Sequence, residues 1–305
     1  MLTAELSRTR RLGVEYEFAI PQIGTGEAAD VRRILSDIFN QNGVSASARG
    51  YSSQPVPAGR DVCIEYDSSV RGESRYRGIR WQQIEMKTRV LRGMDDWEAV
   101  VPKALAIAKY LGARVNSSCG HHVHVELAEA THDPVVIRSL YNTVHRYEPL
   151  IFGLVAPSRL RSSYSMPLPD RPGHLAQCRS LACFRRSLGS LSRQHGINWT
   201  HLWSAEPRIE YRYHGGTLDV EKARHWARFL LRMTDHACMR RCKAAKSQYG
   251  NSRLNLDKMM TTLGLKVNSR VYAKVAPELR ETAQYLRKRW KSLNAPEDSV
   301  NPSLV

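Results

Sequence analysis

Carboxylate, imidazole and guanidinium side chains recur at alternate positions in four short stretches of this 305-residue sequence: Glu15 and Glu17; Glu85; His122, His124 and Glu126; and Glu210, Arg212 and His214. Residues two apart on an extended strand point the same way, so each set is expected to project from one strand face. A solvated face ordinarily mixes Lys, Thr, Ser and Gln, whereas these are metal and phosphate ligands. Two carboxylates at i and i+2 stand roughly 7 Å apart and repel, a cost that a divalent cation beside them removes. Hard cations such as Mg²⁺ or Mn²⁺ prefer such oxygen donors and bring nucleotide phosphates with them. An arginine two residues from a carboxylate ligand then turns its planar fork toward phosphate oxygens. One Glu-X-Glu alone reads more simply as the wet side of a half-exposed sheet. Four such faces in one chain point to a site.

The elements that carry these faces follow from periodicity. Residues 12–20 alternate strictly, with Leu12, Val14, Tyr16, Phe18 and Ile20 on the apolar side, which predicts a strand. Further strands are expected near Val62 to Asp67, Ile79 to Lys87, His121 to Leu127 and Arg208 to His214. Helical spacing predicts helices over 28–39, 97–111 and from Asp133 past Ile151, then Asp219 to about Lys246 and Pro277 to about Leu293. The Pro-, Ser- and Arg-rich stretch 157–173 is expected to be a long loop able to act as a lid. Strands in the first two thirds and helices in the last third favour an α+β fold with a curved, mostly antiparallel sheet packed with helices. The expected organisation is one domain over 1–305, with a helical portion at 220–293 and a flexible tail at 294–305.

The strings GVEYEF (Gly13 to Phe18), YDSS (Tyr66 to Ser69) followed by IEMKTRVLRG (Ile84 to Gly93), CGHHVHV (Cys119 to Val125) and IEYRYHGGTLD (Ile209 to Asp219) occur in a telling order and spacing. Over about residues 10 to 230 the chain resembles the amidoligase family, ATP-dependent carboxylate-amine ligases related in fold to glutamine synthetase and glutamate-cysteine ligase. The resemblance implies a catalytic funnel lined by the sheet, with ATP entering at one end and the acceptor at the other. Carried onto matching positions, it implies metal ligation by Glu15, Glu17, Glu85, His122 and Glu210. Arg212 would face the phosphates, with His124 beside them, and Asp67 would hold the incoming amine. The implied cofactors are ATP and Mg²⁺ or Mn²⁺, and the implied reaction activates a carboxylate as an acyl phosphate that an amine attacks. Arg80 and Arg159, with Arg71, Arg75, Arg77 and Arg161, are placed to reach ATP or the acceptor from loops. The sequence departs from the family at His121, where a small or aliphatic residue is usual, at Lys87 to Arg89, which replaces a Thr-Pro or Ser-Pro, and at Ser68–Ser69, which lacks a Gly.

Other readings compete. An Asp before two serines also caps turns. His122 and His124 could hold zinc, given a third ligand that the sequence does not name. Six cysteines are too few for a disulfide framework in a chain this long, and neither Cys178/Cys183 nor Cys238/Cys242 has zinc-knuckle spacing, so buried free thiols in a reducing cytoplasm are expected. The net charge of +17 lies mostly after Val220. It attracts anions without choosing among them, and Arg240, Arg241, Lys243, Lys246 and Arg287 to Lys291 form a basic surface that nucleic acid would suit. A nucleic-acid-binding protein or metal-dependent nuclease is therefore the alternative class, and a guanidine phosphotransferase a third; nucleic acid is the less favoured partner. The expected partners are a small-molecule or peptide carboxylate and an amine. No apolar run reaches membrane-spanning length and no export segment is evident, so a cytoplasmic location is expected.

Overall fold

A computed structural model describes residues 2–22, 28–52, 54–72, 78–169, 175–239, 247–266 and 272–295. The architecture is a mixed sheet flanked by helices. The main sheet has the order β3–β4–β5–β2–β7–β9–β8, formed by Ala46–Ala48 (β3), Val62–Tyr66 (β4), Trp81–Thr88 (β5), Arg11–Pro21 (β2), Gly120–Glu126 (β7), Arg208–Gly215 (β9) and Ile197–Asn198 (β8). Leu91–Arg92 (β6) adds to the start of β2. Every pairing in this sheet is antiparallel except β3 with β4. Leu2–Ala4 (β1) and Tyr272–Val275 (β10) make a separate parallel pair.

The strand at the centre shows why the sheet folds with two unlike faces. Leu12, Val14, Tyr16 and Phe18 of β2 are buried with Val123 and Val125 of β7 and Ile209, Tyr211 and Tyr213 of β9 in one continuous apolar core. The core continues into three helices: Gly93–Tyr110 (α2) through Trp97, Val101 and Leu105, Val135–Gly153 (α3) through Leu140 and Val144, and Val220–Met239 through Trp226, Leu230 and Met233. Burying a side chain of this size stabilises by about 1.5–3 kcal/mol, so the apolar alternation fixes which face each strand turns inward. Its polar partners are left on the other face.

Ala28–Gln41 (α1) packs beside β3 and β4. Leu181–Leu188 is α4, Val220–Met239 is α5, Arg253–Thr262 is α6 and Pro277–Asn294 is α7. Arg232 of α5 is fully buried, donates to the carbonyl oxygens of Leu263 (2.5 Å) and Glu5 (3.3 Å), and lies over the Tyr272 ring, which ties α5 to the β1–β10 pair. Among the described residues no helix is long and apolar enough to cross a membrane.

Several expectations are corrected. His214 does not share a face with Glu210 and Arg212. Val123 and His121 are two apart on β7, but their partners Tyr211 and His214 are three apart on β9. The extra residue, a bulge, turns His214 to the helical side, where its ring lies 5.7 Å from His121 and 5.1 Å from Trp226. His121 is itself buried there, stacked on Tyr16 at 4.3 Å. Cys178 and Cys183 are not free thiols but form a disulfide at the start of α4, while Cys63, Cys119 and Cys238 are free. The stretch 157–173 opens with a 3-10 turn at Pro157–Arg161 and buries Arg159 to 2% exposure rather than leaving it on an open loop. Trp290 packs against the core and donates to Asn251 Oδ1 at 2.7 Å. Arg75, Arg77, Arg240, Arg241, Cys242, Lys243, Lys246 and the tail from 296 onward lie outside the described residues.

Candidate active site

The polar sheet face lines a cavity of about 910 Å³. Four ladders set its geometry. On β2, Glu15 is the direct partner of His122 on β7 and of Lys87 on β5, while Glu17 is the partner of Glu85. His124 is the partner of Glu210 on β9, and Glu210 is the partner of Asn198 on β8. Antiparallel pairing thus brings residues from opposite ends of the sequence into adjacent rows. The side chains meet as the rows predict. His122 Nδ1 lies 3.1 Å from Glu15 Oε2 and 3.4 Å from Glu210 Oε1, and its Nε2 lies 3.6 Å from Glu17 Oε1. His124 Nε2 lies 3.1 Å from the other oxygen of Glu15.

Arg212 donates to Glu210 and, through Nε, to the carbonyl oxygen of Tyr164 at 3.3 Å. Asn198 donates to the second oxygen of Glu210 at 2.7 Å. Gly120 donates its backbone N–H to Glu17 Oε2 at 2.6 Å. A side chain at that position would put a Cβ 2.5 Å from His122 Nε2 and 3.3 Å from Glu17 Oε2, so glycine leaves room for the His122 ring beside Glu17.

Glu17, Glu85, His122 and Glu210 are all 6% exposed or less. Burial disfavours a charged carboxylate, and the neighbours decide whether it wins. For Glu15, burial pushes upward, but the imidazoles of His124 and His122 outweigh it and hold the group well below the usual carboxylate range. Glu210 is likewise lowered, burial being overcome by His124, Arg212 and His122. In Glu85 burial wins: helped by the Glu15 charge and opposed by Lys87, it pushes the carboxyl up to about 9. Burial also raises Glu17, against the pull of His122. His124 is raised, burial being outweighed by the Glu15 carboxylate.

Among the described residues, three groups of donors offer one ligand atom per residue within 4.8 Å of one another: Glu15, Glu85 and His122; Glu15, His124 and Glu210; and Glu17, Asp67 and Glu85. Asp67 lines the cavity with Glu17 and Glu85, and its Oδ1 accepts from the N–H of Ser69 at 2.7 Å as a turn cap. Arg159 lines the cavity too, but its guanidinium is committed to the carbonyl oxygens of Arg212 (2.8 Å) and Tyr213 (3.3 Å). Arg80 is exposed just before β5 and does not line this cavity. Glu126 faces the cavity and pairs with Arg11 at 2.7 Å.

Sequence reasoning missed Asn198, Glu65, His201 and Arg208. Glu65 is fully buried in β4 and sits in the same cross-sheet row as Glu85 and Glu17. His201, with Arg208 3.4 Å from its Nδ1, extends the wall beyond His124. The HxW and PRIE contexts carry no distinctive spacing, whereas the alternation Cys63, Glu65, Asp67 was a signal available in the sequence.

Residues 8–234 match the family model described as "Putative amidoligase enzyme". Among solved structures the chain is similar to "GmaS/ADP complex-Conformation 1", at 12% identity with a TM-score of 0.44 over 94% of this chain and 70% of that one. It is also similar to the complex between prokaryotic ubiquitin-like protein Pup and its ligase PafA, at 11% identity with a TM-score of 0.43 over 94% of this chain and 65% of that one. Comparison with curated proteins finds no match.

Proposed function

This chain belongs to the amidoligase family, whose model matches residues 8–234, and from that premise we propose that it is an ATP-dependent ligase joining a carboxylate to an amine through an acyl phosphate. The observation that carries the reading is the meeting of Glu15, His122, His124 and Glu210, drawn from three strands, in one cavity of about 910 Å³. The sheet face is then the wall of a funnel with ATP at one end and the acceptor at the other, within a single catalytic domain.

The donor set fits a divalent cation. Glu15, His124 and Glu210 offer two carboxylate oxygens and one imidazole nitrogen within 4.8 Å of one another, a combination suited to Mg²⁺ or Mn²⁺. A cation bound there would supply positive charge to the phosphate oxygens of ATP. Glu17, Glu85 and His122 adjoin it and are the further candidate ligands.

The chain's own residues account for the remaining requirements. Arg212 is anchored by Glu210 and by the Tyr164 carbonyl, so its guanidinium is held over the cavity, where it offsets charge on the transferring phosphoryl group. His124, with Nε2 on Glu15, is positioned beside the nucleotide phosphates. A substrate carboxylate oxygen takes the γ-phosphoryl group and ADP departs. The amine nitrogen then attacks the acyl carbon, inorganic phosphate leaves, and the proton of the amine passes to Asp67, whose carboxylate is fixed by its turn and open to the cavity. Small-molecule and peptide carboxylates are both within this chemistry. The test is a screen for ADP release across carboxylate and amine pairs with Mg²⁺ or Mn²⁺. Turnover that requires both partners supports a ligase; ATP hydrolysis indifferent to them rejects it.

A further inference from the structure

Glu148, in the last two turns of α3, is buried to 1% exposure on the helical side of the sheet and takes no part in the proposed reaction. Its Oε1 accepts from the Tyr213 hydroxyl at 2.6 Å, and both its oxygens share the N–H of Leu168, at 2.9 and 3.0 Å. Every other carboxylate buried among the described residues has a cationic or imidazole nitrogen beside it. Glu17 has His122 (3.6 Å), Glu65 and Glu85 have Lys87 (3.1 and 3.0 Å), Glu210 has Arg212, and Asp235 has Arg10 (2.6 Å). Glu148 has no such partner among the described residues, and burial pushes its carboxyl up to about 7. A buried carboxylate without a counter-charge is unfavourable.

Before this carboxylate lies a second cavity, of about 410 Å³, between the end of α3, the 3-10 turn at Pro157–Arg161 and the end of α7. That is room for a small molecule. The wall is mostly apolar, with Phe152, Val155, Leu160, Leu168 and Leu293, and Glu148 is its charged side chain. The two asparagines in the wall are committed to the protein. Asn251 accepts from Trp290 Nε1 and donates to Asn294 Oδ1, both at 2.7 Å, and Asn294 donates to the Gly153 carbonyl oxygen at 2.8 Å. A divalent cation needs six or more oxygen ligands, which these walls do not offer. An ammonium on an apolar body needs one carboxylate and an apolar chamber, and it brings the missing charge.

We propose that this cavity is a binding site for a small organic cation, a primary ammonium on an apolar body, with the ammonium seated on Glu148. The site does not depend on the ligase reading, although it shares a wall with the catalytic cavity. The segment that gives it Pro157, Leu160 and Leu168 carries Arg159 and Tyr164 into the other cavity, where the Tyr164 carbonyl holds Arg212.

The test is isothermal titration calorimetry of the full chain at pH 8 with three probes of similar shape: phenethylamine, 2-phenylethanol and phenylacetate. Phenethylamine is expected to bind with a Kd below about 1 mM and at least about tenfold more tightly than the alcohol, and phenylacetate is expected not to displace it. Glu148→Gln keeps an oxygen for Tyr213 and Leu168 but carries no charge, so it should bring amine and alcohol to within about twofold of each other. Asp67→Asn, in the catalytic cavity, should leave the preference for the amine unchanged. The wild-type comparison needs no variant: no amine binding, or equal affinity for amine and alcohol, overturns the proposal. So does an amine preference that survives Glu148→Gln or disappears in Asp67→Asn, the latter placing the amine in the catalytic cavity. Each of these results leaves the ligase reading standing.

Discussion

Glu15 and His122 face each other as direct partners across the β2–β7 ladder, with carboxylate oxygen and Nδ1 3.1 Å apart. The site is therefore a consequence of strand register: a slip of one residue would send Glu15 to the helical side and Tyr16 into the cavity. The apolar set of β2 prevents this, because Leu12, Val14, Tyr16 and Phe18 would all leave the core together.

Replacing either Glu15 or Glu210 with Ala should lower ADP release by roughly 10³-fold or more, the scale on which groups stabilising phosphoryl transfer act. Far-UV circular dichroism should be unchanged. Arg212→Lys should not rescue an Arg212→Ala loss, because a point charge cannot reproduce the guanidinium fork. ADP release within a few fold of wild type in Glu15→Ala would remove the site from the reaction.

Metal should stabilise the fold. A cation that binds only the native protein, at about a hundred times its Kd, adds about 2.7 kcal/mol, which for a chain of this size is a rise in Tm of roughly 5 °C. His124→Ala should lose most of that rise, because it removes one of the three donors grouped with Glu15 and Glu210. Differential scanning calorimetry with and without Mn²⁺ checks both statements.

Asp67→Asn separates the two halves of the reaction. Asparagine keeps an oxygen to cap the Ser69 N–H but cannot take a proton. Amide formation should fall by about 10²-fold or more, while ADP release dependent on the carboxylate substrate persists. Equal loss of both would assign Asp67 to phosphoryl transfer or to folding instead.

Stability should fall on both sides of mildly acidic pH. Burial pushes Glu148 up to about 7 even though Tyr213 and the N–H of Leu168 donate to it. Its folded value lies above the ordinary 4.5, so the stability it contributes is complete below about pH 4.5 and lost as pH rises through about 7, to the extent of about 3 kcal/mol. His121 behaves oppositely. Burial pushes it down to about 4, so its contribution is present above pH 6.5 and lost as pH falls through about 4. In urea unfolding from pH 4 to 8, Glu148→Gln should flatten the alkaline limb and leave the acid limb; an unchanged alkaline slope would contradict this assignment.

Much of this was legible in alternation. The faces of β2 and β7 follow from apolar residues at every second position, because burial of Tyr16, Val123 and Val125 fixes where Glu15, Glu17, His122 and His124 point. The face of β9 is legible only as far as Arg212, since a bulge adds a residue without marking the sequence and carries His214 to the other side. Glu65 alternates with Asp67 and was readable from that spacing, whereas Asn198 lies on a two-residue strand that periodicity cannot detect. Which strands lie side by side is a property of the packed sheet. The association of Lys87 with Glu65, 22 positions apart, therefore emerges only when β4 and β5 are paired.

The central claim is that ATP activates a carboxylate in this cavity, and its most direct test is isotope transfer. With a carboxylate substrate labelled with ¹⁸O, the inorganic phosphate formed during amide synthesis should contain one ¹⁸O per turnover by mass spectrometry, the atom having passed through an acyl phosphate. Amide formed with unlabelled phosphate, or labelled substrate left untouched while ATP is consumed, would contradict the account.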